Sequence, residues 1–381
     1  MVKKVLHIVT KLELGGAQKN ALSILAGLNR HKYEVHLISS EGLLSAQAAD
    51  IPGMHLKLMP FLKRAPDPFC DLLAFFSMVS YMRTNKIDIV HTHSSKAGIL
   101  GRWAAYFAGV RFIIHTVHGW GFHDYLKSFL NDLYIFLERK TASITTRIVA
   151  VSQDDIRKGL AHGIGSPEKY VLIRCGIPPA PIKEPGVYLS KRHSLGFTQD
   201  DLIVGMVACL KPQKNPADLI IAAASVLGGH PRAKFVLIGD GVLRKKVKQE
   251  IGKRGLEDSI LMLGWRTDAE EIMPVFDIVV LTSLWEGLPL VFLEAMRSAK
   301  PIVAYDTCGA GEAVKDGVNG FLARPGDTEG LAAKISLLLE NDGLRSRMGQ
   351  FGLHIVSQEE FSLHAMLSRL EGLYESQPCA F

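Results

Sequence analysis

In the stretch SLWEGLPLVFLEAM, Ser283 to Met296, two glutamates, Glu286 and Glu294, stand among Leu, Trp, Val, Phe and Met. Charged carboxylates are rarely fully buried unless something pairs with them. Gly287 loosens the backbone and Pro289 suits a first helical turn, so a helix is expected from about Pro289 to Arg297. The start of that helix leaves the amides of Leu290 and Val291 without intrahelical acceptors, with the positive dipole end behind them. That is an anion site suited to a phosphate. Glu286 precedes it, and Glu294 lies about 7–8 Å along the axis at about 1.5 Å per residue. Carboxylates accept hydrogen bonds from paired sugar hydroxyls, and a nucleotide-sugar carries such hydroxyls on both sides of its diphosphate. The structural alternative is that Glu294 pairs with a nearby Arg or Lys while Glu286 is merely solvated.

Two other groupings have chemical content. Gly15 and Gly16, in KLELGGAQKNAL, follow a strand and precede a helix, where glycines permit tight turning and close approach of a ligand to the backbone. Histidines crowd the first half, ten of fourteen lying before residue 186. His91, His93, His115, His118 and His123 gather near two strand ends. A metal could be drawn to His91-Thr-His93 and His115-x-x-His118, but both spacings are loose and no carboxylates are regularly placed around them, so no metal is expected.

These residues need a scaffold. KVLHIVT, EVHLISS, DIVHTH, RFIIHTVH and RIVAVS read as short β-branched strands, and QKNALSILAGLN, KAGILGRWAAYFAG and LNDLYIFLERKTASIT have helical spacing. Such alternation argues for a parallel sheet with helices on both faces. It breaks at RCGIPPAPIKEPG, where Pro178, Pro179, Pro181 and Pro185 sustain neither helix nor central strand. Alternation resumes with strands DLIVGMVACL, KFVLIGDG, DIVVLTS and PIVAYD and helices NPADLIIAAASVLGG, PLVFLEAMRSA and TEGLAAKISLLLEND. The expected fold is therefore α/β: two doubly wound Rossmann-like domains facing each other across a cleft. Residues 1–180 form the first, 181–190 a Pro-rich linker, 191–360 the second, and 361–381 a C-terminal helix packing back on the first. Ligands in open α/β sheets bind at strand carboxyl ends.

Composition narrows the classes. The 381 residues are 48% hydrophobic and 22% charged, with no low-complexity tract. No apolar run reaches the ~18–20 residues needed to span a bilayer, and VLHIVT is too short for a signal peptide. The five scattered cysteines show no CxxC spacing, which favours reduced thiols in a cytosolic protein. Residues 1–185 hold 23 Lys+Arg against 14 Asp+Glu, whereas 186–381 hold 21 against 24. The basic half fits an anionic partner such as a membrane surface or phosphorylated acceptor. Nucleic acid is not expected, since no aromatic-interleaved basic motif appears. Trp120, Phe122, Tyr125, Phe129, Tyr134 and Phe136, with Arg102, Arg111 and Lys127, would suit an interfacial element meeting anionic lipid, or else core packing.

EGLPLVFLEA, with seven residues between its glutamates, resembles the signature of retaining glycosyltransferases of the GT-B fold, family 4. HIVTKLELGGAQ resembles that family's first strand and Gly-Gly loop, and IGDGVLRKKV and GVNGFLARPGD its later landmarks. SSKAGILGRWAAYFAGVRFIIHTVHGWGFH is closest to the branch that builds lipid-linked polysaccharides. The resemblance implies that Glu294 binds the donor ribose, that Glu286 contacts the transferred sugar, and that Gly287, Leu288 and Leu290 offer amides to sugar and phosphate. It puts Lys214 on the donor diphosphate. Its arginine position holds Cys209 here, a departure that Lys211 would have to make good. Gly16 would border the donor phosphates and His118 the reacting sugar. The expected reaction is metal-independent retaining transfer, since no DxD motif occurs, from a UDP-hexose or UDP-N-acetylhexosamine to a glycan or isoprenoid-diphosphate-linked acceptor. The expected location is the cytoplasm, peripheral on the inner membrane. The rivals are a sugar-nucleotide epimerase of the same architecture and a non-catalytic nucleotide-sugar or membrane-binding scaffold.

Overall fold

The computed structural model describes residues 2–179 and 185–376. The chain forms two compact units, one from residues 1–176 with 363–381 and one from residues 177–362. The first holds seven parallel strands: β1 (Lys3–Lys11), β2 (Tyr33–Ser40), β3 (Met54–Leu58), β4 (Ile89–His93), β5 (Phe112–Val117), β6 (Arg147–Ala150) and β7 (Tyr170–Leu172). Their order across the sheet is β3-β2-β1-β4-β5-β6-β7. Interior strands are buried on both faces, as β-branched runs between two helical layers must be. Val5 and Val9 of β1 enter one hydrophobic cluster, and Leu6 and Ile8 enter another on the opposite face.

The second unit holds β8 (Leu202–Val207), β9 (Ala233–Ile238), β10 (Ile260–Gly264), β11 (Ile278–Leu281), β12 (Ile302–Tyr305) and β13 (Gly320–Ala323), in the order β10-β9-β8-β11-β12-β13. Both sheets therefore reverse their winding once, between β1 and β4 and between β8 and β11. At such a switch the two following loops diverge and leave a crevice at the strand carboxyl ends. All nine strands expected from the sequence are present.

Three local readings change. Residues 181–184 of the expected linker lie outside the described residues, but Pro185–Ser194 is a helix. Pro185 opens it, where a missing N–H costs nothing. The helix Leu290–Arg297 starts one residue later than expected, with Pro289 as its N-cap. Arg102 is not part of a basic surface: it is fully buried, its guanidinium donating to Glu138 Oε2 (2.7 Å) and to the Gly98 carbonyl (2.9 Å). A buried guanidinium requires such partners.

The helix Leu363–Glu375 contributes Met366, Leu370, Leu373 and Tyr374 to the same cluster of the first unit as Val5 and Tyr33. Cys70 and Cys175 are buried thiols outside any disulfide. Among the described residues, no helix is long and apolar enough to cross a membrane.

Candidate active site

In the second unit, the loops leaving β8 and β11 at the switch point are strapped together. Thr282 Oγ1 donates to the carbonyls of Lys214 and Asn215 (both 2.9 Å). The Leu284 amide donates to the Gln213 carbonyl (2.8 Å), and Gln213 Nε2 donates to the Trp285 carbonyl (2.8 Å). Over these straps the Lys214 ammonium forms an ion pair with Glu286 Oε1, both side chains largely buried. Asn215 accepts a left-handed backbone (φ 42°, ψ 56°) directly after Lys214, which turns the chain sharply into the helix Pro216–Gly229. Glu286 is thus not merely solvated. Lys214 and Glu286 neutralise each other where the fold is expected to receive an anion.

The glutamate loop is held from its other side by the turn after β12. Gly309 has φ 76°, and a Cβ there would lie 1.6 Å from the Gly287 carbonyl oxygen. Only glycine lets this turn press against the 287–288 backbone. Leu290 then opens the eight-residue helix, whose first two amides have no intrahelical acceptor by the geometry of any helix. Glu294 lies within this helix and is 6% exposed, flanked by buried Leu293 and Ala295. Lys211 starts the short turn Pro212–Lys214 and is half-buried, its amide donating to the Cys209 carbonyl (2.8 Å). Lys211, Lys214, Glu286, Gly287, Leu288, Leu290 and Glu294 all belong to the loops and helix at this one switch point.

In the first unit, Gly15 is the N-cap of the helix Gly16–Gly27 with φ −142° and ψ 156°. That is extended backbone open to any residue, so tight turning does not require glycine there. A Cβ on Gly15 would meet only the Gln18 side chain, while Gly16 is exposed. The strained turn is instead after β4. Ser94 has φ 63° and ψ 155°, and its hydroxyl bonds the Thr10 hydroxyl at the end of β1 (2.8 Å).

The histidines divide between the two faces of the sheet. His115 bonds Thr92 Oγ1 (2.9 Å). His7, His91, His93 and His118 instead join one buried hydrogen-bonded series with Tyr374. Burial pushes His118 down to about 4 and His7 to about 3, and holds His91 and His93 well below the ordinary imidazole value. All four are neutral at pH 7. His7, His91 and His93 are close enough to hold a metal, but their ring nitrogens already bond Tyr374, Thr116 and one another. Tyr374 has no sequence signal as a site residue, since it lies 281 positions from His93 in an apolar helical pattern.

Two doubly wound parallel units, each reversing its winding once, have the architecture of the GT-B class. Residues 14–180 match the family described as Glycosyltransferase Family 4, and residues 189–354 that described as Glycosyl transferases group 1. Over 333 residues the chain is 33% identical to the UDP-Gal:alpha-D-GlcNAc-diphosphoundecaprenol alpha-1,3-galactosyltransferase of Escherichia coli, covering 86% of this chain and 85% of that protein. It is 27% identical to the N-acetyl-alpha-D-glucosaminyl L-malate synthase of Bacillus anthracis, over 81% of this chain and 79% of the relative. The crystal structure of Anabaena Alr3699/HepE in complex with UDP-glucose shares the fold at a TM-score of 0.84 and 23% identity, covering 98% of this chain and 99% of that one. The chain belongs to the family 4 glycosyltransferases.

Proposed function

We propose that the protein transfers a hexose or N-acetylhexosamine from its UDP derivative to an isoprenoid-diphosphate-linked glycan acceptor, with retention at the anomeric carbon and without a metal. The observation that carries this reading is the Lys214–Glu286 pair strapped beside the amide end of the helix Leu290–Arg297. An arriving diphosphate competes with Glu286 for the Lys214 ammonium and takes the helix amides as further donors. Glu286 is thereby released to accept hydrogen bonds from the sugar, and Glu294 accepts from the ribose hydroxyls. The bond from the anomeric carbon to the phosphate oxygen then breaks, leaving positive charge on the sugar and negative charge on the UDP. Lys214 and the amides of residues 287–291 stabilise the departing charge. The acceptor oxygen bonds the anomeric carbon on the face the phosphate left, and its proton passes to that phosphate. His118, neutral, contacts the sugar, and Gly15 and Gly16 border the phosphates. The Escherichia coli relative, named for a UDP-Gal donor and a diphosphoundecaprenol-linked acceptor, supports this choice of substrates.

The reading includes an anionic lipid surface, at the cytoplasmic face of the membrane. The helix Pro68–Asn85 packs on Ser95–Ala108, which packs on Ser128–Ser143. This layer exposes Phe69 (72%), Leu72 and Phe76 on its first helix and Phe129 (76%), Leu133 and Phe136 on its third. Lys127, Arg139 and Lys140, all exposed, adjoin the latter set. Trp120 and Phe122, by contrast, are buried in the core. Exposed apolar side chains beside cations match the requirements of anionic headgroups.

A panel of nucleotide-sugars tests the donor by thermal stabilisation, and incubation with and without the lipid-linked acceptor tests the reaction. Acceptor-dependent UDP release, undiminished after chelation, is the expected result. Conversion of the sugar-nucleotide without acceptor would mean an epimerase, and neither outcome a scaffold. Flotation with phosphatidylglycerol but not phosphatidylcholine vesicles, lost in a Phe129→Ser/Phe136→Ser variant, is expected for the lipid surface.

A further inference from the structure

Glu34 and His36 are two residues apart on β2, so their side chains leave the same face of the sheet. The parallel registers set His55 of β3 beside His36, and Lys4 of β1 beside Glu34. Glu34 Oε1 is the point on which they converge. His36 Nε2 donates to it at 3.0 Å, His55 Nε2 lies 3.6 Å from it, and the Lys4 ammonium 3.2 Å. The two imidazoles stack, with ring centroids 4.6 Å apart and 20° between their planes. One ring nitrogen of each and a Glu34 carboxylate oxygen all lie within 4.8 Å of one another.

Ordinary ion pairing accounts for Lys4 and His36 but not for His55, whose 3.6 Å separation from Glu34 is beyond hydrogen-bond length. A shared cation accounts for both histidines. Bonds of about 2.0–2.2 Å to nitrogen and oxygen set ligand atoms about 2.8–3.7 Å apart when the angle at the metal is about 90–115°. The separations of 3.0 and 3.6 Å from Glu34 Oε1 both fall in that span. His55, with its side chain 58% exposed, can turn to close the remaining distance to His36. His36 is buried, and the Tyr81 hydroxyl holds it from the other side, 2.9 Å from Nδ1. That hydroxyl suits two states. It donates to Nδ1 while Nε2–H faces Glu34, and it accepts from Nδ1–H once Nε2 ligates a metal. A ligating histidine normally has such a partner on its second nitrogen.

We infer that Glu34, His36 and His55 form a binding site for a divalent first-row transition ion such as zinc, with water as the fourth ligand. Two imidazoles and a carboxylate suit zinc, whereas magnesium and calcium take oxygen ligands. Glu34 binds ionised and both imidazoles bind neutral; His36 keeps one proton, which moves from Nε2 to Nδ1. Lys4, its side chain one-third exposed, gives up Glu34 and turns to water. The ligands are the second and fourth residues of β2 and the second of β3, in the amino halves of parallel strands. Substrates of such sheets bind at the carboxyl ends. The ion therefore ties the edge strand β3 to its neighbour and takes no part in sugar transfer. The trio His7, His91 and His93 differs, since it has no carboxylate and its ring nitrogens are already bonded.

The test is calorimetric titration of zinc into full-length protein stripped with a chelator, with cobalt substitution reporting coordination. Stoichiometric binding at micromolar zinc, the visible bands of four-coordinate cobalt and a raised unfolding midpoint are expected. His55→Ala, at an exposed position, should abolish all three, and Glu34→Gln likewise. Tyr81→Phe should weaken binding about tenfold by removing the hydroxyl behind His36. Lys4→Met should tighten it by removing a competing cation. Should Glu34→Gln not fold, His55→Ala carries the test alone. Zinc retained at full stoichiometry by folded His55→Ala would place the ion elsewhere, as at His7, His91 and His93, and overturn the inference. Binding by the native protein only at millimolar zinc would overturn it too. Acceptor-dependent UDP release should be equal in stripped and zinc-loaded protein, so the proposed reaction stands or falls separately.

Discussion

At the level of single residues, the second unit concentrates its chemistry in one cation and two acids. Lys214 is the hinge of that arrangement, because it must satisfy Glu286 in one state and a diphosphate in the other. Lys214→Ala is expected to weaken binding of the UDP-sugar by about 2 kcal/mol, roughly thirtyfold in Kd, the scale of one charge-assisted hydrogen bond. Calorimetric titration measures it. The same variant leaves the Glu286 carboxylate largely buried without its cation, so adding Glu286→Gln should restore part of the lost thermal stability but none of the activity. Additive effects of the two substitutions on stability would mean that the pair is not coupled. Glu294→Ala should weaken binding of the donor and of free UDP alike, because the ribose is common to both. This paired arrangement was visible in the sequence as far as spacing can show it: the acids, the glycine and the helix start are contiguous. The partner of Glu286 was not, since Lys214 lies 72 positions away and only the adjacency of β8 and β11 brings it there. Tyr374 was hidden for the same reason, with the added disguise of a core-like helical pattern.

At the level of elements, two features are under tension and each predicts a measurable effect. The turn joining β4 to the helix Ser95–Ala108 forces Ser94 to φ 63° and ψ 155°, a region that side-chain-bearing residues avoid at a cost of about 1–3 kcal/mol. Ser94→Gly and Ser94→Ala both lose the bond to Thr10, so their difference isolates the backbone. The glycine variant is expected to be the more stable by that amount in denaturant unfolding. Arg102 and Glu138 pin the helix Ser95–Ala108 to Ser128–Ser143 from inside. Glu138→Ala should cost about 3–5 kcal/mol by stranding a buried guanidinium, whereas Arg102→Met with Glu138→Leu should recover most of it. Strands were legible to an uneven degree, and the unevenness has a cause. The nine that the sequence reading found are the interior strands of the two sheets. The four it did not find, β3, β7, β10 and β13, are the four sheet edges. An edge strand has a neighbour on one side only, so β3 and β7 keep half-exposed residues such as His55 and Tyr170 and lack the unbroken apolar run of their neighbours.

At the level of the whole molecule, the two units should respond differently to acid. His7, His91, His93, His115 and His118 of the first unit are all held below their ordinary value by burial. An unfolded chain binds protons near pH 6.5 that the folded unit refuses, so stability is full above that pH and falls as pH drops toward the folded values. For His7, lowered to about 3, the loss is about 1.4 kcal/mol per pH unit through that window. The second unit has the opposite kind of group: Asp268, hydrogen-bonded to Arg266, and Asp201, bonded by the Thr198 amide, are held below the usual carboxylate range. Their contribution persists until pH falls below about 4. Limited proteolysis between pH 6.5 and 4.5 should therefore open sites in the first unit before the second. Simultaneous opening would show that the histidines do not govern acid stability.

The helix Leu363–Glu375 has one more implication, and it concerns biosynthesis. A ribosome delivers residues 1–176 first, then all of the second unit, and only afterwards the segment carrying Met366, Leu370, Leu373 and Tyr374. The nascent amino-terminal half accordingly waits with an unfilled slot in its interior and with His7 and His91 lacking their common phenol. The half made second is the half able to finish folding first.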